Sequence, residues 1–471
     1  MFTITDTKKF KAAHKIALAA IDKKSAMPIL QHIRFFSNER GAFIGSTDLE
    51  TAVTIDIADT IEYSAPFDFL VPYKPLSEAL KTQKSGFSVS GVQNEDGNPY
   101  EKIGALTVQT LPVDEFPIVP DVNAIPASIG NLSETIKQVL YAAGENDVRY
   151  TLNGALFDIS EKRCVCTDGH RMAIVPLDIC NWFTKNKVII ARKTCELLAM
   201  IPGNPMAKIE KGKAIFIFDK QTGSPVNAEI YTRLSDGRYP DYKQVETHAI
   251  KSNKTRMTVN RADFLAALDI VSGVLERKWH NLANLYFYEG NAVLYANHPN
   301  NGTARATVQA EYTGNETDPA ITINVRFLKE YCNAMSGDTV TLVINEPLSP
   351  ILLYDGTESV SIIMPEPGNG ARAEQDRLYM EFPAHIKAEM QERISHNRIT
   401  RKLAERKQKQ ARADMLKNRA DALVYAGAFL KALKIYQGIG AIMQYHELLT
   451  CLPDLVKMAA PDGRESLRNA A

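Results

Sequence analysis

The chain has 471 residues, with 55 Lys+Arg against 55 Asp+Glu and 45% hydrophobic residues. At roughly 150 residues per domain that length predicts about three domains, and the composition excludes a wholly disordered chain, a collagen-like repeat and a membrane bundle. No apolar run approaches the ~18 uncharged residues of a spanning helix, and the N-terminal MFTITDTKKF lacks the layout of a secretory signal. Six cysteines in so long a chain do not make a disulfide framework. Cys164 and Cys166 stand at strand spacing without the second ligand pair of a zinc site. We therefore expect reduced thiols, a cytoplasmic protein, and no metal or cofactor.

In chain order the elements repeat. Residues 5–24, TDTKKFKAAHKIALAAIDKK, place apolar side chains at three- and four-residue spacing, which predicts an amphipathic helix. A strand pair around a polar turn follows in AFIGSTDLETAVTI. Then FLVPYKPLSEALK at 69–81 reads as an apolar strand, a short basic turn and a helix, and the block closes at Phe116-Pro117. The four features return in the same order in LSETIKQVLYAAGENDVRY (132–150), RCVCTDGHRMAIVPL, VIIARKTCELLAM (188–200) and Tyr239-Pro240. The third set is VNRADFLAALDIVSGVLERK (259–278), AVLYANHPNNGTARATV, ITINVRFLKEYCNAM (321–335) and Met364-Pro365. Self-similarity at this spacing identifies three copies of one domain, at 1–122, 123–250 and 251–367. Val-Pro-Asp-Val-Asn and Ala-Ile-Lys-Ser-Asn-Lys read as the linkers. Many short strands and two helices per copy predict an α+β fold with helices packed on one face of antiparallel sheet.

The zero net charge hides an asymmetry. Residues 1–368 carry 37 Lys+Arg and 43 Asp+Glu, whereas 369–471 carry 18 and 12. Within the copies, basic residues recur at helix ends: Lys23 and Lys24, Arg149, and Arg277 and Lys278 after the first helices, with Lys74, Arg192, Lys193 and Arg326 at the start of the second. One such end is explained by solvation and the helix dipole. Recurrence in three copies predicts a positive surface on an otherwise acidic body. A binding scaffold without DNA would explain the repeat but not those basic ends. Asp168 and His170 in TDGHR could form an acid–base pair on a turn. No nucleophile elbow, phosphate loop or zinc pair accompanies them, so a polar turn whose Asp bonds its own backbone is the better reading. We expect no enzyme.

These residues also carry a resemblance. MPIL at 27–30, GSTDLE at 45–50, VRYTLNGALFDI at 148–159, TDGHRMA at 167–173, SDGRYPDYKQV at 235–245 and IIMP at 362–365 resemble the bacterial sliding clamp, the DNA polymerase III beta subunit, over residues 1–366. The resemblance implies a head-to-tail homodimer whose six clamp domains close into a ring around double-stranded DNA, helices inside and sheets outside. Such a ring is a processivity factor that tethers a replicative DNA polymerase and needs no cofactor. The implied DNA contacts are Lys24, Lys74, Lys81, Asn146, Arg149, Tyr150, Arg192 and Lys193, to which the basic helix end of the third copy adds Arg277 and Lys278. Thr151 stands where the family often has a second tyrosine.

The family's polymerase and clamp-loader partners dock short Gln/Leu peptides between the second and third domains. The matching positions are Leu152, Thr167, Gly169, His170, Arg171, Met172, Pro240 and Val245, with Asn324, Phe327, Leu348, Pro350, Ile362, Ile363, Met364 and Pro365. Glu366 replaces an apolar lining residue, and Gln244 stands where an arginine is common. Leu106, Val108, Val274 and Leu275 are the candidates for the ring interface.

Beyond Gly368 the texture changes. Ala384 to about Asn418 is rich in helix formers behind Pro383, and Lys387–Arg419 holds 11 basic and 4 acidic residues. Leu423–Tyr436 and Ala441–Leu452 are apolar enough to pack. The extension, 368–471, is expected to be helical and basic: an added module, a DNA-binding arm, or a partner-docking segment with Gln444, Leu448 and Leu449. A clamp-fold adaptor specialised by this tail is the alternative to a general replication clamp.

Overall fold

The computed structural model describes residues 1–366 apart from 83–87, 94–98, 180–186, 252–254, 277–280, 289, 315–319 and 345–348, and beyond them Arg406, Lys407 and Gln410. The chain divides into two compact units, Met1–Ala373 and Glu374–Ala471. In the second, Arg406, Lys407 and Gln410 are helical. Apart from these three residues, the helices expected over 384–418, 423–436 and 441–452 and the Gln444–Leu449 motif lie outside the described residues. No helix among the described residues is long and apolar enough to cross a membrane.

The first unit repeats one pattern, strand–helix–three strands, six times. It begins with β1 (Phe2–Ile4), α1 (Thr7–Ala20), β2 (His32–Asn38), β3 (Gly41–Thr47) and β4 (Thr51–Asp56). After a short β5 (Ile61–Tyr63) come β6 (Asp68–Pro72), α2 (Tyr73–Thr82), β7 (Ser88–Gln93), β8 (Pro99–Ile103) and β9 (Leu106–Gln109). The third pass is β10 (Ala127–Gly130), α3 (Leu132–Leu140), β11 (Gly154–Asp158), β12 (Arg163–Thr167) and β13 (Arg171–Pro176). A two-residue β14 (Asp178–Ile179) precedes β15 (Lys187–Ala191), α4 (Arg192–Ala199), β16 (Met206–Glu210), β17 (Lys213–Phe218) and β18 (Ala228–Ser235). Helix α5 (Tyr242–Lys251) then leads to β19 (Thr255–Asn260), α6 (Arg261–Ser272), β20 (Leu282–Tyr288), β21 (Asn291–His298) and β22 (Gly302–Tyr312). The last pass is β23 (Ile321–Asn324), α7 (Val325–Ala334), β24 (Thr339–Ile344), β25 (Ile351–Tyr354) and β26 (Val360–Ile363). The threefold repeat read from the sequence is thus itself twofold.

Within each repeat the two halves exchange their first strands. β1 pairs with β7 and β6 with β2; β10 pairs with β16 and β15 with β11; β19 pairs with β24 and β23 with β20, all antiparallel. Period-two burial drives this: in β17, Ala214, Phe216 and Phe218 are buried while Lys213, Ile215 and Ile217 are half exposed. The helices cover the apolar face. Asp6 caps α1 by accepting from the Lys9 amide at 3.0 Å, and Phe10, Ala13, Ile16, Ala17 and Ala20 make its buried stripe.

The repeats join edge to edge. β4 pairs with β18 from Thr51↔Thr232 to Ile55↔Ala228, and β13 with β26 from Arg171↔Ile363 to Ile174↔Val360. Each seam therefore uses the last strand of one repeat's first half and the last strand of the next repeat's second half. The helices follow suit in one row, α2–α1–α4–α3–α7–α6, each in contact with the next. One core runs from Phe2 to Leu234 through the first two repeats, a second fills the third, and a third cluster bridges the second and third repeats.

Two expectations need correction. The second copy's first helix stops at Leu140, not near 150: the chain turns at Gly144, and Asn146 adopts a left-handed φ of 57°. The Asn153 side chain holds that turn, accepting from the Asp147 amide and donating to the Asp147 carbonyl, both at 2.8 Å. The second linker, expected from Ala249, begins inside α5, because Tyr242 and Ala249 are buried and the Tyr242 hydroxyl donates to Asp158 at 3.0 Å. Tertiary packing outweighs a mediocre helical propensity here.

Candidate DNA-facing surface and peptide pocket

The proposed DNA contacts separate into free and committed cations. Lys24 and Lys74 are exposed, and Lys81 is exposed but paired with Glu78 at 2.7 Å. Asn146 and Tyr150 are exposed on the turn after α3. Arg149 lies on that turn, not at a helix end, and grips Asp147 through Nε at 3.0 Å and Nη2 at 2.7 Å. The guanidinium holds the Asp147 carboxyl down at about 2, below the usual carboxylate range.

Arg192 and Lys193 face inward along the helix row. The Arg192 Nη1 donates to the carbonyls of Leu140 and Ala143 at the end of α3, and its Nε reaches Glu196 at 3.0 Å. The Lys193 ammonium donates to the carbonyls of Ala20 and Ile21 at the end of α1 and to the Asp48 carboxylate. A cation in a helix's first turn opposes that helix's own dipole. Here each serves the carbonyl end of a neighbouring helix, where the dipole favours it. Both residues are thus tied into the helix row, and Lys193 spans the seam between the first two repeats. Arg277 and Lys278 lie outside the described residues.

The expected basic face shared by three repeats is uneven. Helix α1 carries Lys8, Lys9, Lys11 and Lys15 and no acid, and Lys8, Lys9 and Lys15 are exposed. On α7, Arg326 pairs with Glu330 at 2.7 Å, and Lys329 pairs with Asp269 of α6. The α1 lysines were absent from the sequence-derived set. Their visible signal is a run of four Lys in nine residues without an acid.

The pocket residues divide into a floor and a rim. Leu152, Met172 and Ile362 are at most 5% exposed and belong to one cluster with Tyr239, Tyr242, Val343 and Leu352. Ile363 belongs to the neighbouring third-repeat core, against which Phe327 packs. Thr167, Pro350 and Pro365 are buried, whereas Gly169, His170, Pro240, Val245 and Met364 are exposed. The Met364 amide donates to the His170 carbonyl at 2.9 Å, which ties the two rims together. Asn324 caps α7, its Oδ1 accepting from the Arg326 amide at 3.0 Å. Leu348 lies outside the described residues. A cavity of about 480 Å³ opens beside the cluster, with Leu156, Ile189, Tyr239 and Pro240 on its wall.

One buried charge organises the seam. Arg171, 6% exposed, meets Asp168 at 3.1 Å and Glu330 of α7, and its guanidinium lies 4.4 Å from the Phe327 ring centre and 5.5 Å from that of Tyr141. The Tyr141 hydroxyl and Ser361 Oγ are 2.6 Å apart across the same seam. The Asp168 carboxylate accepts from the amides of His170 and Arg171, so the TDGHR acid is spent on its own turn. Glu330, Tyr141 and Ser361 were not legible as site residues, since Glu330 stands 159 positions from its partner.

Of the interface candidates, Leu106 on the edge strand β9 is 43% exposed, and Val108 is half-buried against the first core. Val274 is half-buried. Leu275, at 9%, is already inside its own repeat's core and offers little surface to another chain. Cys164, Cys166, Cys195 and Cys332 are buried free thiols whose titration burial pushes upward.

Comparison with known proteins agrees with this geometry. Residues 128–241 match the central domain of the DNA polymerase III beta subunit family, and residues 251–366 match its C-terminal domain. The beta sliding clamp of Proteus mirabilis is 25% identical over 357 residues, covering 73% of this chain and 93% of that protein. That of Pseudomonas putida is 23% identical over 378 residues, covering 77% and 99%. The crystal structure of the DNA polymerase sliding clamp from Bacillus subtilis superposes with a TM-score of 0.67 at 20% identity, over 78% of this chain and 99% of that one. The Bartonella birtlesii clamp bound to griselimycin gives 0.68 at 23% identity, over 78% and 100%. With the doubled three-repeat architecture and relatives matched along nearly their whole length, the chain belongs to the bacterial sliding-clamp family, the non-catalytic beta subunit of DNA polymerase III.

Proposed function

We propose that two copies of this chain close head to tail into a ring that encircles duplex DNA and tethers a DNA polymerase to it. One observation carries the reading. Both seams within the chain join a first-half last strand to the second-half last strand of the following repeat, and a first helix to the following second helix. Applied once more, that rule leaves β22 and α6 at one end and β9 and α2 at the other. Among the described residues, β9 pairs only with β8, and β22 has no neighbour beyond β21 along Gly302–Gln309. A second copy supplies the missing partner at both ends, and two such seams close a symmetric dimer in which neither β9 nor β22 presents an open edge. Leu106, Val108 and Val274 stand at these ends. The repeat limits near 122, 250 and 367 belong to this reading.

The helix row would line the hole. Lys24, Lys74 and Lys81, with the α1 lysines and the Asn146–Tyr150 turn, would touch phosphates without reading bases, so the ring has no preferred site. A partner held by such a ring gains effective concentration at the template. Polymerase and clamp loader would dock short Gln/Leu peptides over the Leu152–Met172–Ile362 floor, between the rims of His170 and Pro240 and of Phe327 and Met364.

The decisive experiment loads the protein onto plasmid with its host's clamp loader and washes at high salt. Direct phosphate contacts weaken steeply with salt, whereas topological linkage does not. Retention on circles with loss after linearisation is the expected result. Equal loss from both forms would sink the ring.

A further inference from the structure

Arg149 and Tyr150 belong by position to the DNA-facing side, yet their contacts lead to the pocket. The Arg149 Nη2 donates to the Asp168 carbonyl at 3.0 Å as well as to Asp147. Its guanidinium lies against Gly169, so close that a Cβ built there would stand 3.0 Å from Nη1. Asp168 in turn fixes the amides of His170 and Arg171 and the Arg171 Nε, and Arg171 reaches across the seam to Glu330 and Phe327. On its other side the turn abuts Gly237, three residues before Pro240. A Cβ there would fall 2.7 Å from the Tyr150 hydroxyl and 2.9 Å from Thr151 Cγ2. The 147–151 turn is therefore wedged between two segments that contribute the pocket's rim.

That turn is rigid and yet open to a ligand. Asn153 and the bidentate Arg149–Asp147 pair hold its backbone, while the Arg149 side chain remains 57% exposed. A guanidinium has a fixed fork of donors. Nε and Nη2 are committed to Asp147 and Asp168, and a phosphate gripped end-on by Nη1 and Nη2 together would take the Nη2 donor that Asp168 now holds.

We infer that Arg149 is a positioning residue of the peptide pocket as well as a DNA contact, and that the two roles compete. A phosphate that draws the guanidinium off Asp168 releases the 168–171 turn and lowers the pocket's affinity for peptide. By linkage, bound peptide weakens the DNA contact by the same factor. The inference rests on the clamp reading above and adds a coupling between its two sites.

The test uses the full-length dimer and a fluorescent short Gln/Leu peptide, titrated against the free ring and against the ring loaded on nicked circular plasmid. The expected result is peptide binding about fivefold weaker on DNA, the lower end of ordinary coupling between sites. Arg149→Ala should weaken peptide binding by a similar factor off DNA and abolish its dependence on loading, with an unchanged melting temperature. Arg149→Lys, which keeps the charge and loses the fork, should track alanine for peptide binding both off and on DNA. Equal wild-type affinity on and off DNA overturns the inference, as does an Arg149→Ala ring that binds peptide like the wild type. A wild-type chain that neither stays on circles nor binds peptide overturns the clamp reading and takes this inference with it.

Discussion

Gly154 shows how little freedom a single position has in this fold. It pairs with Ala191 at the start of β11, and a Cβ there would stand 2.2 Å from the Ile190 carbonyl oxygen. Backbone cannot yield as a side-chain tip can, so Gly154→Ala should destabilise the first unit by about 2–3 kcal/mol in urea unfolding. His14 is 6% exposed on α1, and burial, aided by Lys23, lowers its pKa from 6.5 to about 4. The folded chain then binds fewer protons than the unfolded one between those values. His14 contributes stability that is present above pH 6.5 and lost as pH falls toward 4, about 3 kcal/mol at full extent. His14→Gln should flatten the acid limb of a stability–pH profile. Glu101 has the opposite sign. Burial raises it from 4.5 to about 8 against the pull of the N-terminal amine, and among the described residues its Oε2 has no hydrogen-bond partner. Its folded form keeps the proton, so its favourable balance holds below 4.5 and is lost as pH rises through 8. Glu101→Gln should raise the melting temperature at pH 8–9 and change it little at pH 5.

At the scale of elements, the seams decide which charges matter. Removing the buried Arg171 side chain would take the shared cation from Asp168 and Glu330, leave Glu330 with Arg326 alone, and empty the space against Phe327 and Tyr141. Arg171→Ala should therefore destabilise the first unit by about 3 kcal/mol and loosen the junction of the second and third repeats, read as faster amide exchange along β13 and β26. Much of the site at this scale was legible. TDGHR was read as a turn, and IIMP, which carries part of the resemblance, begins at the end of β26, the strand that pairs with β13 across the seam. What escaped was pairing over distance: Lys193 to Asp48, Arg171 to Glu330, Tyr141 to Ser361. Local periodicity reports which face of an element is buried, and carries no information on which other element buries it. For the same reason the basic starts of α4 read as a candidate DNA surface, whereas they satisfy the carbonyl ends of α3 and α1.

At the scale of the whole molecule, the first unit is a row with two unlike ends. If β9 and β22 meet in a second copy, a charge on the exposed edge side chain should separate the copies without unfolding them. Leu106→Asp, on a residue 43% exposed in the single chain, is expected to convert a dimer to a monomer in sedimentation while leaving the melting of the first two repeats nearly unchanged.

The amino-acid sequence by itself determined the threefold repeat, the alternation of strands and amphipathic helices, the break near Gly368 and the resemblance to clamps. Each is written in local periodicity, in self-similarity or in contiguous motifs. The tertiary structure decided the exchange of first strands between half-repeats and the rule by which repeats join, because register between distant strands depends on both partners at once. It also decided which cations stay free. A charge is available to DNA only when no neighbouring carbonyl or carboxylate has claimed it, and those neighbours are up to 173 residues away in the chain.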